Sequence, residues 1–212
     1  MRLYPLALKI AGRRCVVVGG GIVSERKVAS LVECGADVLV VSPELTSHLE
    51  EEAARGRIRV SCKAFQAGDL DGAMLVIAAT DDPAVNVAVR DAGRAAGALV
   101  NVVDVPELCD FYVPASVTRG ELQITVNTTG AFPALAKQLR KELETQYGPE
   151  YGKYLELLGR LRQELKERVP DRSQRNRAEE AFLESSALLL LRQGRDEDAV
   201  KVLEECVSRF SA

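Results

Sequence analysis

Apolar residues come in short runs, parted by glycines and by stretches of helical periodicity. Cys15 to Val18 reads as a buried strand, and Gly19, Gly20 and Gly21 follow at once. Ile22, Val23, Val28 and Leu31 then recur at helical spacing, which predicts a helix beginning inside or just after the glycines and ending at Gly35. Val38 to Val41 predicts a second strand, and Ser42-Pro43 reads as N-cap and first residue of a polar helix stopping at Gly56. Ile58 to Val60 is a short third strand. Met74 to Ala79 is continuously apolar, as a central parallel strand covered on both faces requires. Asp82 and Pro83 cap and open a helix to about Ala96, and Ala98 to Val103 is a fifth strand. Leu3 to Ile10 is a short apolar segment expected to pack on the sheet edge. Strand and helix thus alternate to about residue 103, the pattern of an open, doubly wound parallel sheet.

The pattern then changes. Phe111 to Val117 and Leu122 to Thr128 flank Thr118-Arg119-Gly120-Glu121 and predict a hairpin. Pro133 opens a helix through Gln146. This β-β-α piece is too small to bury its own apolar faces, so a second copy of the chain is the expected partner. Tyr154, Leu158, Leu161 and Leu165 form a helical stripe that Pro170-Asp171 ends. Two more helices are expected, Ala178 to Leu191 and Ala199 to Phe210, parted by Gly194. The expected fold is α/β: a Rossmann-like doubly wound domain at 1–112, a β-β-α dimerisation segment at 113–147 and a helical domain at 148–212.

The glycine stretch carries the first chemistry. An apolar strand, a glycine turn and a helix start make up a dinucleotide-binding unit. Gly19 serves the tight turn, Gly20 continues it, and Gly21 leaves room for a pyrophosphate at the helix N-terminus. Ile22 and Val23 open that helix, and Ser24 stands at the third glycine position. A carboxylate is expected at the end of the second strand to hold the ribose, and here stand Ser42, Pro43 and Glu44. No arginine follows immediately to favour a 2′-phosphate, so the reading leans to NAD over NADP. Thr80-Asp81 and Asn101 to Asp104 are the other polar clusters at the carboxyl ends of the strands, where such sheets bind ligands.

Bulk properties narrow the classes. With 212 residues, 47% hydrophobic and 28% charged, the chain is an ordinary globular one. A formal net charge of −3 argues against nucleic-acid binding as the main task. The N-terminus has too short an apolar run for a signal peptide, and nothing approaches a membrane span. Five scattered cysteines without a CxxC pair fit free thiols in a reducing cytoplasm. The lone His48 lies on a charged helix and reads as a surface residue, so no metal site is expected.

Asn101 to Ala115, NVVDVPELCDFYVPA, is the most specific stretch. Asp104 lies just past a central strand at the ligand end of the sheet. It suits a general base, or equally a carboxylate that caps a loop. The order VVVGGGxVxxRK, AATDD, NVVDxPxxCDFxxPA resembles the precorrin-2 dehydrogenase / sirohydrochlorin ferrochelatase family, the dehydrogenase half of siroheme synthase. The run NTTGAFPALAKQLRKEL is similar to a further segment of that family. The resemblance covers roughly residues 1 to 145 and is to the stand-alone form.

It implies NAD-dependent oxidation of precorrin-2 to sirohydrochlorin, with Fe²⁺ as a substrate if insertion follows. It implies Asp104 as the base, and NAD contacts from the glycine turn with Ile22 and Val23 and from Pro43 and Glu44. A departure lies at Ala131 and Phe132, where the family carries glycine and serine; Thr128 keeps a hydroxyl in place of a family serine. A polycarboxylate substrate calls for basic partners. Arg119 on the hairpin turn and Lys137, Arg140 and Lys141 on the following helix are candidates, or else a solvated helix face. Asn101 and Thr128 complete the expected substrate contacts. Two other classes stay open: a nucleotide-sensing regulatory module, and a tetrapyrrole carrier with the same fold.

Overall fold

A computed structural model describes residues 3–210. The chain divides into two compact units, one up to Val113 and one from Pro114 on.

The first unit is a five-stranded sheet of β1 (Arg14–Val18), β2 (Asp37–Val41), β3 (Arg59–Ser61), β4 (Leu75–Ala78) and β5 (Leu99–Val102). All pairs are parallel, in the order β3-β2-β1-β4-β5. Successive side chains alternate between two cores. Cys15 and Val17, Val38 and Val40, and Leu75 and Ile77 enter one, where α1 (Ile22–Glu33) contributes Val28 and Leu31 and α2 (Ser47–Ala54) contributes Leu49. Val16 and Val18, Val76 and Ala78, and Val100 and Val102 enter the other, with Val89 of α3 (Pro83–Ala95) and Leu70 of a short 3₁₀ turn. Strand burial on both faces is why these runs are aliphatic throughout. The strand order switches direction between β1 and β4, the point outside whose carboxyl ends sheets of this class bind ligands.

Sequence and structure differ at two places in this unit. Ser42-Pro43 does not start a helix: Ser42 to Leu45 is a loop, and Thr46 caps α2, its Oγ1 accepting from Leu49 N. The loop is pulled under the glycine turn by a bond from Thr46 N to Gly20 O of 3.0 Å. Of the Leu3 to Ile10 segment only Ile10 joins the sheet core, while Tyr4, Leu6 and Leu8 are exposed.

The second unit opens with a hairpin of β6 (Ala115–Arg119) and β7 (Leu122–Val126), turning at Gly120 with φ +57°. Phe111 to Pro114, expected to extend β6, is not strand, because Asn101 Nδ2 holds the Phe111 carbonyl at the end of β5. α4 (Pro133–Gln146) follows, then α5 (Glu150–Arg168), α6 (Arg172–Glu184), α7 (Ala187–Arg192) and α8 (Asp196–Phe210). Leu161, Leu165, Phe182 and Leu203 centre their core. The single helix expected over Ala178–Leu191 is two. Ser185 Oγ donates to Phe182 O at 2.7 Å and accepts from Ala187 N, ending α6 and starting α7. No helix among the described residues is long and apolar enough to cross a membrane.

Candidate functional site

The glycine turn is built by close approach. Gly19 has φ +118°, and a Cβ there would sit 2.2 Å from Ala79 O. At Gly20 a Cβ would lie 2.0 Å from Glu44 O and 2.8 Å from Ser42 Oγ. The turn is therefore wedged between the ends of β4 and β2, and only glycine fits. Gly21 is different. It caps α1 in extended conformation with no side-chain hydrogen bond, and a Cβ there would meet nothing within 4 Å. The first N–H groups of α1 thus face open space, where an anion is favoured. Beneath them Ser24 Oγ is fully buried without a hydrogen-bond partner. An open helix N-terminus, a turn that admits no Cβ at Gly19 and Gly20, and an orphaned hydroxyl fit the pyrophosphate of a dinucleotide. Ile22 is 69% exposed at the mouth of this site. Pro43 and Glu44 are exposed on the loop after β2, and Ser42 is buried.

Two flanking turns are pinned. After β4, the Thr80 hydroxyl donates to Asn86 Oδ1 at 2.9 Å, and Asn86 Nδ2 donates to Thr80 O at 2.9 Å. Asp82 caps α3 by accepting from Ala84 N and Val85 N, and Asp81 is left exposed. After β5, Asp104 has φ +60°, uncommon for a residue with a side chain, and is exposed. Its turn is closed from behind. Cys109 Sγ accepts from Val102 N and donates to Val102 O at 3.1 Å. Asp110 Oδ2 accepts from Val100 N at 3.0 Å while its other oxygen holds Arg94. Burial pushes the Cys109 thiol up, so it stays protonated and able to donate. Asp104 thus stands on a braced loop and shares a groove of about 490 Å³ with Val23, Arg26, Lys27, Ile77 and Phe111. Among the described residues no three His, Cys, Asp or Glu gather as a metal site.

Residues 6–115, half of the chain, match the family described as "Putative NAD(P)-binding". Residues 150–206 match the family described as "Sirohaem synthase dimerisation region". The chain belongs to the siroheme synthase N-terminal family. It is 43% identical over 205 residues to the siroheme synthase of Methylococcus capsulatus, covering 97% of this chain and 43% of that one. It is 45% identical over 175 residues to that of Methylobacillus flagellatus, covering 82% and 38%. The chain therefore spans less than half the length of these relatives. A solved structure of SirC, a precorrin-2 dehydrogenase, superposes with TM-score 0.78 at 28% identity over 96% of this chain and 100% of that one.

Within this siroheme synthase-like chain the expected substrate contacts are distributed unevenly. Asn101 is buried at the end of β5, its amide nitrogen donating to Phe111 O at 2.9 Å. Arg119, Thr128, Lys137 and Arg140 belong to the second unit. There Arg119 donates to the carbonyls of Tyr147 and Glu144 and so caps the end of α4. Arg140 pairs with Glu144 one helical turn on. Thr128 Oγ1 donates to Phe132 O at 3.3 Å, and Lys137 is exposed with no ion pair among the described residues. The dimerisation-region match falls on α5 to α8, whereas the sequence reading gave that role to 113–147. Asn86, which shapes the site, was not singled out from sequence, and Arg26 and Lys27 stood in the quoted motif without a role. A polar residue at a helix position otherwise apolar, as at Asn86, was the available signal for the first.

Proposed function

We propose that the chain is an NAD-dependent precorrin-2 dehydrogenase of siroheme biosynthesis, acting as a homodimer in the cytoplasm. The observation that carries this reading is a braced, exposed carboxylate, Asp104, in the same groove as Val23 at the start of α1, two residues beyond the open anion site at Gly21. NAD rather than NADP is supported by Glu44, an exposed carboxylate after β2 that would repel a 2′-phosphate.

Bound NAD⁺ supplies the hydride acceptor. Oxidising precorrin-2 to sirohydrochlorin removes one hydride and one proton, and the Asp104 carboxylate receives the proton. The Asn101, Cys109 and Asp110 bonds keep that carboxylate in place while the N–H groups of α1 hold the pyrophosphate. Val23, Ile77 and Phe111 make the floor apolar, which favours a flat macrocycle over water. Fe²⁺ insertion, where it follows, treats the metal as substrate and asks Asp104 to receive the displaced N–H protons.

The deciding experiment is anaerobic incubation with precorrin-2 and NAD⁺. NADH appearing together with the sirohydrochlorin spectrum is expected. NAD⁺ binding without turnover would replace this reading with a nucleotide-sensing module, and sirohydrochlorin binding without turnover would replace it with a carrier.

A further inference from the structure

The groove that holds Asp104 exists because of how the helices are shared between the two faces of the sheet. α3 and the 3₁₀ turn before β4 cover one face. α1 packs on the other, chiefly against β1 and β2, and shares that core with Leu75 and Ile77 of β4. Ile10 and the segment after β5 also line this side, and the groove runs there beside α1. Val23, Arg26, Lys27, Ser30 and Cys34 of α1 line it at helical spacing. From Val23 to Cys34 the helix rises about 16 Å, so the groove reaches well past the pyrophosphate end of α1.

Arg26 and Lys27 are the cations of this groove, and both belong to the RK of the glycine-turn motif, to which no role had been given. Elsewhere in the unit Arg55, Arg57, Arg59, Lys63, Arg90 and Arg94 each pair with a carboxylate. Arg26 and Lys27 have no ion pair among the described residues, a state they share with Lys9, Arg13 and Arg14, none of which lines the groove; Lys27 is half-buried. Among the described residues Asp104 is the sole carboxylate lining the groove. An apolar floor with a cationic rim on one long side and a single carboxylate complements a flat apolar molecule with anionic groups at its edge.

We infer that Arg26 and Lys27 are the substrate's carboxylate-binding residues: α1 holds the acidic edge of the tetrapyrrole and so presents its oxidisable carbon to Asp104. The inference rests on the dehydrogenase reading, and its occupant is the polycarboxylate macrocycle rather than the cofactor. The pyrophosphate site lies at Gly21, more than a helical turn before Arg26, so neutralising the cations should weaken the macrocycle more than NAD⁺.

The test is the pair Arg26→Gln/Lys27→Gln and Arg26→Glu/Lys27→Glu, measured beside the wild-type protein. KM for precorrin-2 should rise roughly tenfold in the neutral pair and further in the reversed pair. The dissociation constant for sirohydrochlorin, read by its absorbance, should move in parallel. In the neutral pair the dissociation constant for NAD⁺ should move less than that for sirohydrochlorin, and oligomeric state by light scattering not at all. Wild-type KM should also rise with salt, and that rise should flatten in the variants. An unmoved KM and sirohydrochlorin affinity alongside active wild-type enzyme would overturn this inference alone. Equal weakening of NAD⁺ would reassign the cations to the cofactor, and loss of the dimer would reassign the groove to a second copy of the chain. Wild-type protein that neither oxidises precorrin-2 nor binds sirohydrochlorin would overturn the dehydrogenase reading itself.

Discussion

Gly20 and Gly21 are neighbours with opposite jobs, and substituting them should separate folding from cofactor binding. At Gly20 an added Cβ meets Glu44 O at 2.0 Å, well inside contact distance, so Gly20→Ala must push the β2–α2 loop away. Overpacking of this kind costs about 1–3 kcal/mol, and each kcal/mol lowers Tm by about 2–4 °C in a chain of this size. At Gly21 an added side chain meets no atom within 4 Å, and φ is −87°, which any residue adopts. Aspartate is also a better N-cap than glycine, by a few tenths of a kcal/mol. Gly21→Asp should therefore melt at or slightly above the wild-type temperature. The new carboxylate would face the pyrophosphate. Two unit charges about 5 Å apart repel by about 3 kcal/mol at an effective dielectric of about 20. NAD⁺ affinity should fall by at least about a hundredfold. Thermal melts and calorimetric titration with NAD⁺ report the two effects independently. Gly21→Asp protein that melts lower than Gly20→Ala, or that binds NAD⁺ as tightly as wild type, would refute the placement of the pyrophosphate.

Asp104→Asn keeps a residue that tolerates positive φ and removes the base; precorrin-2 oxidation should fall by about 10²–10⁴ with NAD⁺ affinity unchanged in titration. Cys109→Ala leaves the Val102 carbonyl and amide without their partner and should cost about 1–3 kcal/mol in chemical denaturation, with kcat falling and KM for NAD⁺ steady; Cys109→Ser should recover part of both. Burial raises the thiols of Cys15 and Cys109, so at a given pH they hold less thiolate, and iodoacetamide followed by mass spectrometry should modify the exposed Cys34 and Cys62 first. Light scattering at micromolar concentration should return twice the chain mass, with the contact mapping to α5–α8 by cross-linking.

Local sequence was enough for the parallel sheet, because its strands are buried on both faces and can only be aliphatic. The same holds for α3, whose N-terminus is written in Asp82-Pro83, and for α4, opened by Pro133. The glycine turn was legible because few arrangements other than an approach to a phosphate place three glycines between a buried strand and a helix. Its division of labour was not. That Gly20 rather than Gly21 is the sterically forbidden position depends on Glu44 and Ser42, more than 20 residues away in sequence and brought close by the pairing of β1 with β2. The start of α2 moved from Ser42 to Thr46 because Ser42 N still donates to Ser61 O of β3, which keeps Ser42 in line with the sheet. Asp104 was visible as a carboxylate after a strand, but its backbone conformation and the thiol and carboxylate that brace it arise only when residues 100–111 fold back on β5. Arg26 and Lys27 were visible as the RK of the glycine-turn motif, but nothing in the sequence gave them a role. Only the tertiary arrangement, which sets their side of α1 beside Val103, Asp104 and Phe111, turned it into the wall of a groove.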